Sequence, residues 1–152
     1  MSAIMGYFEI GVFHPRSGDN IGTLWRSAYQ LGAAGIFTIG RPYRQQTSDT
    51  QHAAYEIPLR NFPTFEEFLA NRPVGAMLIG IEIGGQPLSS FSHPERAVYL
   101  LGSETAGLPD NVLQQCNAVI GLESIHYPSY NLAVAGSLVM YHRAFLAPAE
   151  RG

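Results

Sequence analysis

The sequence predicts an α/β fold, a single-domain parallel sheet flanked by helices. Two observations carry that prediction. The strand-like stretches are apolar along their whole length rather than alternating, which marks strands covered on both faces, and they take turns with stretches of helical character. A third observation bounds it: 152 residues, 46% of them hydrophobic and 14% charged, suit one well-packed domain and exclude a disordered chain.

The elements follow in order. Residues 7–13 (YFEIGVF) read as a strand. SGDNIGTLWRSAYQLGA reads as a helix that opens near Asp19 or Asn20, both good capping types, and closes near Gly32 or Gly35. At about 100° per residue, Ile21, Leu24, Ala28 and Leu31 share one face of this helix, with Trp25 at the margin and Arg26 opposite. GIFTIG (35–40) is a short buried strand, and 41–56 are polar and irregular. Thr64-Phe-Glu-Glu67 matches a capping box opening a short helix to about Asn71. AMLIGIE (76–82) is the next strand, followed by a Gly-Gly turn and then by AVYLLG (97–102). Pro109 suits the first position of a helix running to about Cys116. AVIGL (118–122) is the last strand, and residues 129–146 form the longest helix, with Ser129 as its cap. No internal repeat, low-complexity tract or linker divides residues 1–152.

The single cysteine, Cys116, excludes an intramolecular disulfide, suits a reducing compartment and reads as a small core residue. The N-terminal stretch has no basic leader and no apolar run nears membrane-spanning length, so a cytoplasmic protein is expected. The five histidines lack metal-type spacing, and no metal site is expected. Net charge is −3, yet all nine cationic residues are arginines, and four of them (Arg16, Arg26, Arg41, Arg44) lie in 16–44. Arginine forks onto phosphate with two donors, so a local positive patch remains open despite the acidic total.

In parallel α/β sheets the ligand lies beyond the carboxyl ends of the strands. The loop after Gly102 should therefore face a ligand: its glycines allow close backbone approach, Glu104 is its carboxylate, and the helix at Pro109 closes it. Several polar residues near that edge have two readings each. Asn20 either caps the first helix or presents its amide to a ligand. Arg26 is either solvated or projected towards the ligand edge. Ser129 and Asn131 are either capping residues or part of a site.

Three separated stretches coincide with one family. Asn20-Ile-Gly22-Thr-Leu-Trp-Arg26 resembles the N-x-G-x-x-x-R first motif of SpoU/TrmH-like RNA ribose methyltransferases. Leu101-Gly102-Ser-Glu104-Thr-Ala-Gly107-Leu-Pro109 is similar to their G-x-E-x-x-G-L-P loop, and Ser129-Tyr-Asn131-Leu132-Ala133-Val-Ala135 to the S-x-N-[VL]-x-x-A start of their third motif. The resemblance covers about residues 7–146. One departure stands out: the family's Ile-Pro-Met run before the third motif is replaced by Leu122-Glu123-Ser124.

The resemblance implies an α/β fold with a deep C-terminal trefoil knot of the SPOUT type. It implies S-adenosylmethionine bound in the knot and a homodimer with its active site at the interface. The implied reaction is methylation of a ribose 2′-hydroxyl in RNA, with tRNA favoured for a chain lacking an added RNA-binding domain and rRNA as the alternative. A catalytically silent RNA- or nucleotide-binding relative is the competing expectation. By carry-over, Arg26 orients or deprotonates the hydroxyl, and Asn20 positions substrate or Arg26. Gly102, Glu104 and Gly107 shape the cofactor loop, Ile81 and Leu122 pack near the cofactor, and Ser129, Asn131 and Leu132 complete the site. Arginine is too basic for easy proton removal, so orientation and charge stabilisation are the preferred role for Arg26. The dimer expectation also draws on Leu132, Val139, Met140 and Phe145 of the last helix, which offer more apolar surface than one short sheet needs.

Overall fold

The computed structural model describes residues 6–16, 18–43 and 56–146. Six strands form one parallel sheet: β1 (Tyr7–Phe13), β2 (Gly35–Ile39), β3 (Leu59–Phe62), β4 (Met77–Pro87), β5 (Arg96–Leu101) and β6 (Ala118–Gly121). Their order is β3-β2-β1-β5-β4-β6. Among the described residues are the α-helices α1 (Gly18–Gln30), α2 (Phe65–Ala70), α3 (Asp110–Leu113) and α4 (Leu132–Tyr141), the last running on into a π-helical turn, His142–Leu146, and a short 3-10 turn, Leu88–Ser90, follows β4.

Successive side chains of a strand point to opposite faces, and the core divides accordingly. On β5, Ala97, Tyr99 and Leu101 join Leu24, Ala28 and Val139 under α1 and α4, whereas Val98 and Leu100 join Phe65, Phe68 and Val112 under α2 and α3. Close approach of α4 depends on Gly136: a Cβ there would stand 2.5 Å from Leu24 and 3.1 Å from Leu101. Thr64 caps α2 as the capping box predicts, its Oγ1 accepting from the Glu67 N–H at 3.1 Å.

The structure departs from the sequence-based expectations at several places. Strand β3 (LRNF) has no apolar run to announce it. Polar contacts anchor it instead: Arg60 pairs with buried Glu9 at 2.8 Å, and Asn61 Nδ2 donates to Thr38 Oγ1 at 2.8 Å. The Gly84-Gly85 pair is not a turn that ends β4. The strand continues to Pro87 through an irregularity in which Ile81 and Gln86 both face Ile120 of β6. Gly85 lies flat on β6 there, since a Cβ would meet the Ile120 backbone at 2.6 Å. Helix α1 begins at Gly18, so Asp19 and Asn20 sit in its first turn rather than capping it. Helix α3 has Pro109 as its N-cap and ends at Leu113, short of Cys116. Helix α4 is capped by Asn131, whose Oδ1 accepts from the Val134 N–H at 3.1 Å, and not by Ser129. Leu132, Val139 and Met140 are buried in the chain's own core, so of the four residues expected to offer free apolar surface only Phe145 does so. The exposed apolar side chains on this segment include Val134, Leu138, Tyr141, Phe145 and Leu146.

The Cys116 thiol is half-buried, and burial pushes its pKa up to about 11, which suits a packing residue and not a nucleophile. A buried polar network ties the π-helical turn to the sheet. His93 Nδ1 and the Tyr99 hydroxyl are 2.6 Å apart, and His93 Nε2 lies 2.8 Å from His142 Nδ1. Arg143 donates to the Pro94 and Glu95 carbonyls at 2.7 and 2.9 Å and to the Tyr99 hydroxyl at 3.2 Å.

Candidate functional site

The carboxyl ends of β4, β5 and β6 open into a cavity of about 510 Å³. Apolar side chains form part of its wall: Ile81, Leu101, Leu132 and Ala135. The loop from Gly102 to Gly107 forms one side, and Leu122 with Pro128–Asn131 the other. The loop is closed on itself. The Gly107 N–H donates to the Ser103 carbonyl at 3.1 Å, and the Ala106 N–H to Ser103 Oγ at 3.1 Å. Its two glycines are in direct backbone contact, because a Cβ on Gly102 would fall 2.3 Å from the Gly107 carbonyl carbon. Gly107 itself adopts φ +69, a conformation that favours glycine, and a Cβ on it would meet the Glu82 carboxylate at 2.7 Å.

Side chains from three distant segments meet at the rim. Asn20 Nδ2 donates to Glu104 Oε2 at 3.1 Å, and Asn131 Nδ2 donates to Asn20 Oδ1 at 3.1 Å. The Arg16 main-chain N–H donates to Glu104 Oε1 at 3.1 Å, and its guanidinium to Thr105 Oγ1 at 3.4 Å. Asn20 therefore does not cap its own helix. Its amide bridges the carboxylate of the loop to the cap of α4, joining residues 84 and 111 positions away.

Of the residues the sequence singles out, Asn20, Ile81, Gly102, Glu104, Gly107, Leu122, Ser129, Asn131 and Leu132 all line this cavity. Arg26 does not. It is exposed on α1, on the side away from buried Ile21, Leu24 and Ala28. Sequence reasoning missed Glu82, Ser103, Thr105 and Tyr130, which also line it. Glu82 enters because the irregularity in β4 turns residues 82–85 out of the sheet, where Glu82 Oε1 accepts from the Leu108 N–H at 3.1 Å. Its one signal in the sequence is a lone carboxylate ending an apolar strand.

The residues replacing Ile-Pro-Met have their own bonds. Ser89 donates through its hydroxyl to the Glu123 carboxylate, and this holds the Glu123 pKa below the usual carboxylate range. The Tyr130 hydroxyl donates to the Glu123 carbonyl at 2.6 Å. Glu123 thus fastens the segment carrying Ser129 and Asn131 to the turn after β4.

The cavity is acidic. Among the described residues Glu82 and Glu104 line it and no lysine, arginine or histidine does, so it suits a ligand with positive charge, and its apolar floor suits a flat hydrophobic body. A second, smaller cavity of about 410 Å³ lies on the other side of the same loop, lined by His14, Pro15, Arg16, Arg41, Ser103, Thr105 and Ala106.

Comparison with known proteins places this arrangement. The family model described as SpoU rRNA Methylase matches residues 7–141. A tRNA/rRNA methyltransferase of Archaeoglobus fulgidus, itself uncharacterised, is 25% identical over 128 residues, which is 80% of this chain and 57% of that protein. The AdoMet-bound rRNA methyltransferase of Sinorhizobium meliloti superposes with a TM-score of 0.80 at 23% identity, covering 94% of this chain and 57% of that one. A structure described as giving insights into 2-OH methylation of C/U34 on tRNA has a TM-score of 0.76 at 26% identity, covering 91% of this chain and 94% of that one. The chain spans a little over half the length of the first two of these.

Proposed function

The chain belongs to the SpoU methylase family, and we propose that it binds S-adenosylmethionine in the acidic cavity and transfers its methyl group to a ribose 2′-hydroxyl of RNA, tRNA being the favoured substrate. The observation that carries this reading is the convergence of Asn20, Glu104 and Asn131, one from each motif, at the rim of one cavity. The cavity also fits the cofactor. About 510 Å³ is within the range for small-ligand sites, and its carboxylates suit a sulfonium and an amine.

When bound, the cofactor supplies an electrophilic methyl group. The 2′-oxygen forms a bond to the methyl carbon as the carbon–sulfur bond breaks, leaving a neutral thioether, and the hydroxyl proton passes to solvent. Positioning is the main contribution this chain makes to such a displacement. Glu104 is fixed by two donors, the Arg16 N–H and the Asn20 amide, Asn131 is fixed as the cap of α4, and neither needs to reorganise as charge shifts.

Arg26 lies outside its own chain's cavity, so in this reading it serves the cavity of a second copy, orienting the hydroxyl and stabilising the developing oxyanion. The exposed stripe Val134, Leu138, Tyr141 and Phe145 recurs at helical spacing and supports a homodimer in which such sharing is possible. The family's threaded C-terminus is part of the same reading. It is supported by β6 lying at the sheet edge beside β4 while α4 returns to pack on α1.

The test is tritium transfer from labelled S-adenosylmethionine to unfractionated tRNA. Wild-type protein should transfer label, and Arg26→Ala should abolish transfer while cofactor affinity stays within a few-fold. Unchanged turnover in Arg26→Ala would remove Arg26 from the mechanism. One observation favours a second reading, a silent RNA-binding relative: Glu123 stands where the family carries Ile-Pro-Met. Calorimetry with S-adenosylmethionine separates the two, since a silent relative gives no binding heat.

A further inference from the structure

The second cavity is not absorbed by the methyl-transfer chemistry. We propose that Arg16 and Arg41 there grip a phosphodiester of the RNA strand beside the nucleotide being methylated, an inference that rests on the methyl-transfer reading.

Position comes first. The sheet order reverses between β1 and β5: the chain leaves β1 towards β2 and β3, and reaches β5 from the other side. Loops following the adjacent strands therefore diverge, and ligands bind in the crevice between them. The second cavity is that crevice, with His14, Pro15 and Arg16 after β1, Arg41 after β2, and Ser103, Thr105 and Ala106 after β5. The loop at residues 103–106 is a wall of both cavities, so an anion held here lies next to the methyl donor's cavity.

Chemistry comes second. Among the described residues no carboxylate lines this cavity, whereas two line its neighbour. Arg41 makes no ion pair and no side-chain hydrogen bond among the described residues. Arg16 spends one donor on Thr105, at 3.4 Å, and keeps the remainder of its fork. Two guanidinium groups with unused donors at one concavity match the bidentate geometry of phosphate oxygens. Net charge of −3 disfavours long-range attraction of RNA, so the grip must come from a local cluster such as this one.

Preorganisation comes third. His14 has φ 54, an unfavourable conformation outside glycine, and it is held there by its N–H bond to the Ile39 carbonyl at 2.8 Å. Gly40 makes room for it, since a Cβ would meet His14 Nδ1 at 2.9 Å. Strain maintained by its surroundings at the mouth of a cavity is characteristic of binding sites. Here it sets the path of the chain from His14 into Arg16.

The experiment is fluorescence anisotropy of end-labelled unfractionated tRNA over a range of salt concentrations, with calorimetry of S-adenosylmethionine in parallel. Arg41→Ala should weaken tRNA binding about tenfold and lower the slope of log affinity against log salt by about one. Arg41→Glu should weaken it further, and Arg16→Ala should also reduce affinity, while Arg41→Ala leaves cofactor affinity unchanged. Wild-type affinity and slope in both Arg41 variants would overturn the proposal. So would inorganic phosphate that competes with tRNA at equal phosphate concentration, since the site would then serve a free anion. Absence of cofactor binding by the wild-type protein, with Arg41-dependent tRNA binding intact, would instead sink the methyl-transfer reading and leave the phosphate grip standing.

Discussion

The two cavities share a wall and differ in almost everything else. One is lined by Glu82 and Glu104 over an apolar floor of Ile81, Leu101 and Leu132; the other is lined by Arg16, Arg41 and His14. The difference shows how one short loop serves two ligands of opposite charge. Glu104 belongs to the acidic side yet accepts from the Arg16 N–H, and Thr105 accepts from the Arg16 guanidinium, so the loop is fastened from the basic side. Charge separation of this kind lets a cationic donor and an anionic acceptor be held within reach of each other without pairing in the wrong orientation.

The largest effect should come from breaking the wall itself. Gly102→Ala would push a methyl group into the Gly107 backbone, which has no flexible end to move aside. We expect a loss of about 1–3 kcal/mol in stability and impaired binding at both cavities, read by thermal unfolding and by paired cofactor and tRNA titrations. A variant that lost only one of the two activities would show that the cavities are less coupled than the geometry indicates.

A sharper separation comes from charge. Glu82→Gln keeps the shape of the acidic cavity and removes one negative charge. S-adenosylmethionine affinity should fall about tenfold by calorimetry while tRNA affinity does not fall, the mirror image of Arg41→Ala. Parallel losses of both ligands in either variant would collapse the distinction between the cavities. Smaller again is Asn131→Ala, which removes the cap of α4 and the bond to Asn20. About 1 kcal/mol of stability should be lost in denaturant titration, with weaker cofactor binding and little change in tRNA binding.

The smallest effect tests the frame that carries both cavities. Burial, His142 and Arg143 push the His93 pKa down to about 3, and burial also lowers that of His142. The unfolded chain therefore binds more protons than the folded one below the ordinary histidine value, and stability must fall as pH falls through that range. Protonating both rings would set two N–H donors against each other across 2.8 Å. Between neutral pH and about 5.5 the His93 contribution should cost about 1 kcal/mol, measured by urea unfolding at each pH. A flat profile would show that the network accepts protons without cost.

Much of this was legible in the chain before folding. The apolar runs at β1, β2 and β5 were readable because they are buried on both faces, and the motif residues because they cluster at element ends. What was not legible came from contacts that span the sequence. Nothing near Asn20 says that its amide will reach Glu104 and Asn131 rather than cap α1. Strand β3 is anchored by Arg60 and Asn61, whose partners lie on β1 and β2, so local hydropathy could not reveal it. Glu82 was hidden by Gly84-Gly85, a pair whose local signal is a turn that ends the strand, whereas the chain returns to pair with β6 at Gln86. The helix face of Arg26 was readable, but its remoteness from the cavity was not.

The bond from Asn131 to Asn20 joins positions 111 residues apart, and it closes the rim of the acidic cavity. During synthesis the first of these side chains emerges long before the second. The receptacle for the methyl donor is thus among the last features to be assembled, after β6 has docked and α4 has begun, and a nascent or C-terminally shortened polypeptide has most of its sheet but nowhere to hold the donor. Non-local closure of this sort is slow. Ligand added during refolding should consequently capture only the finished molecule.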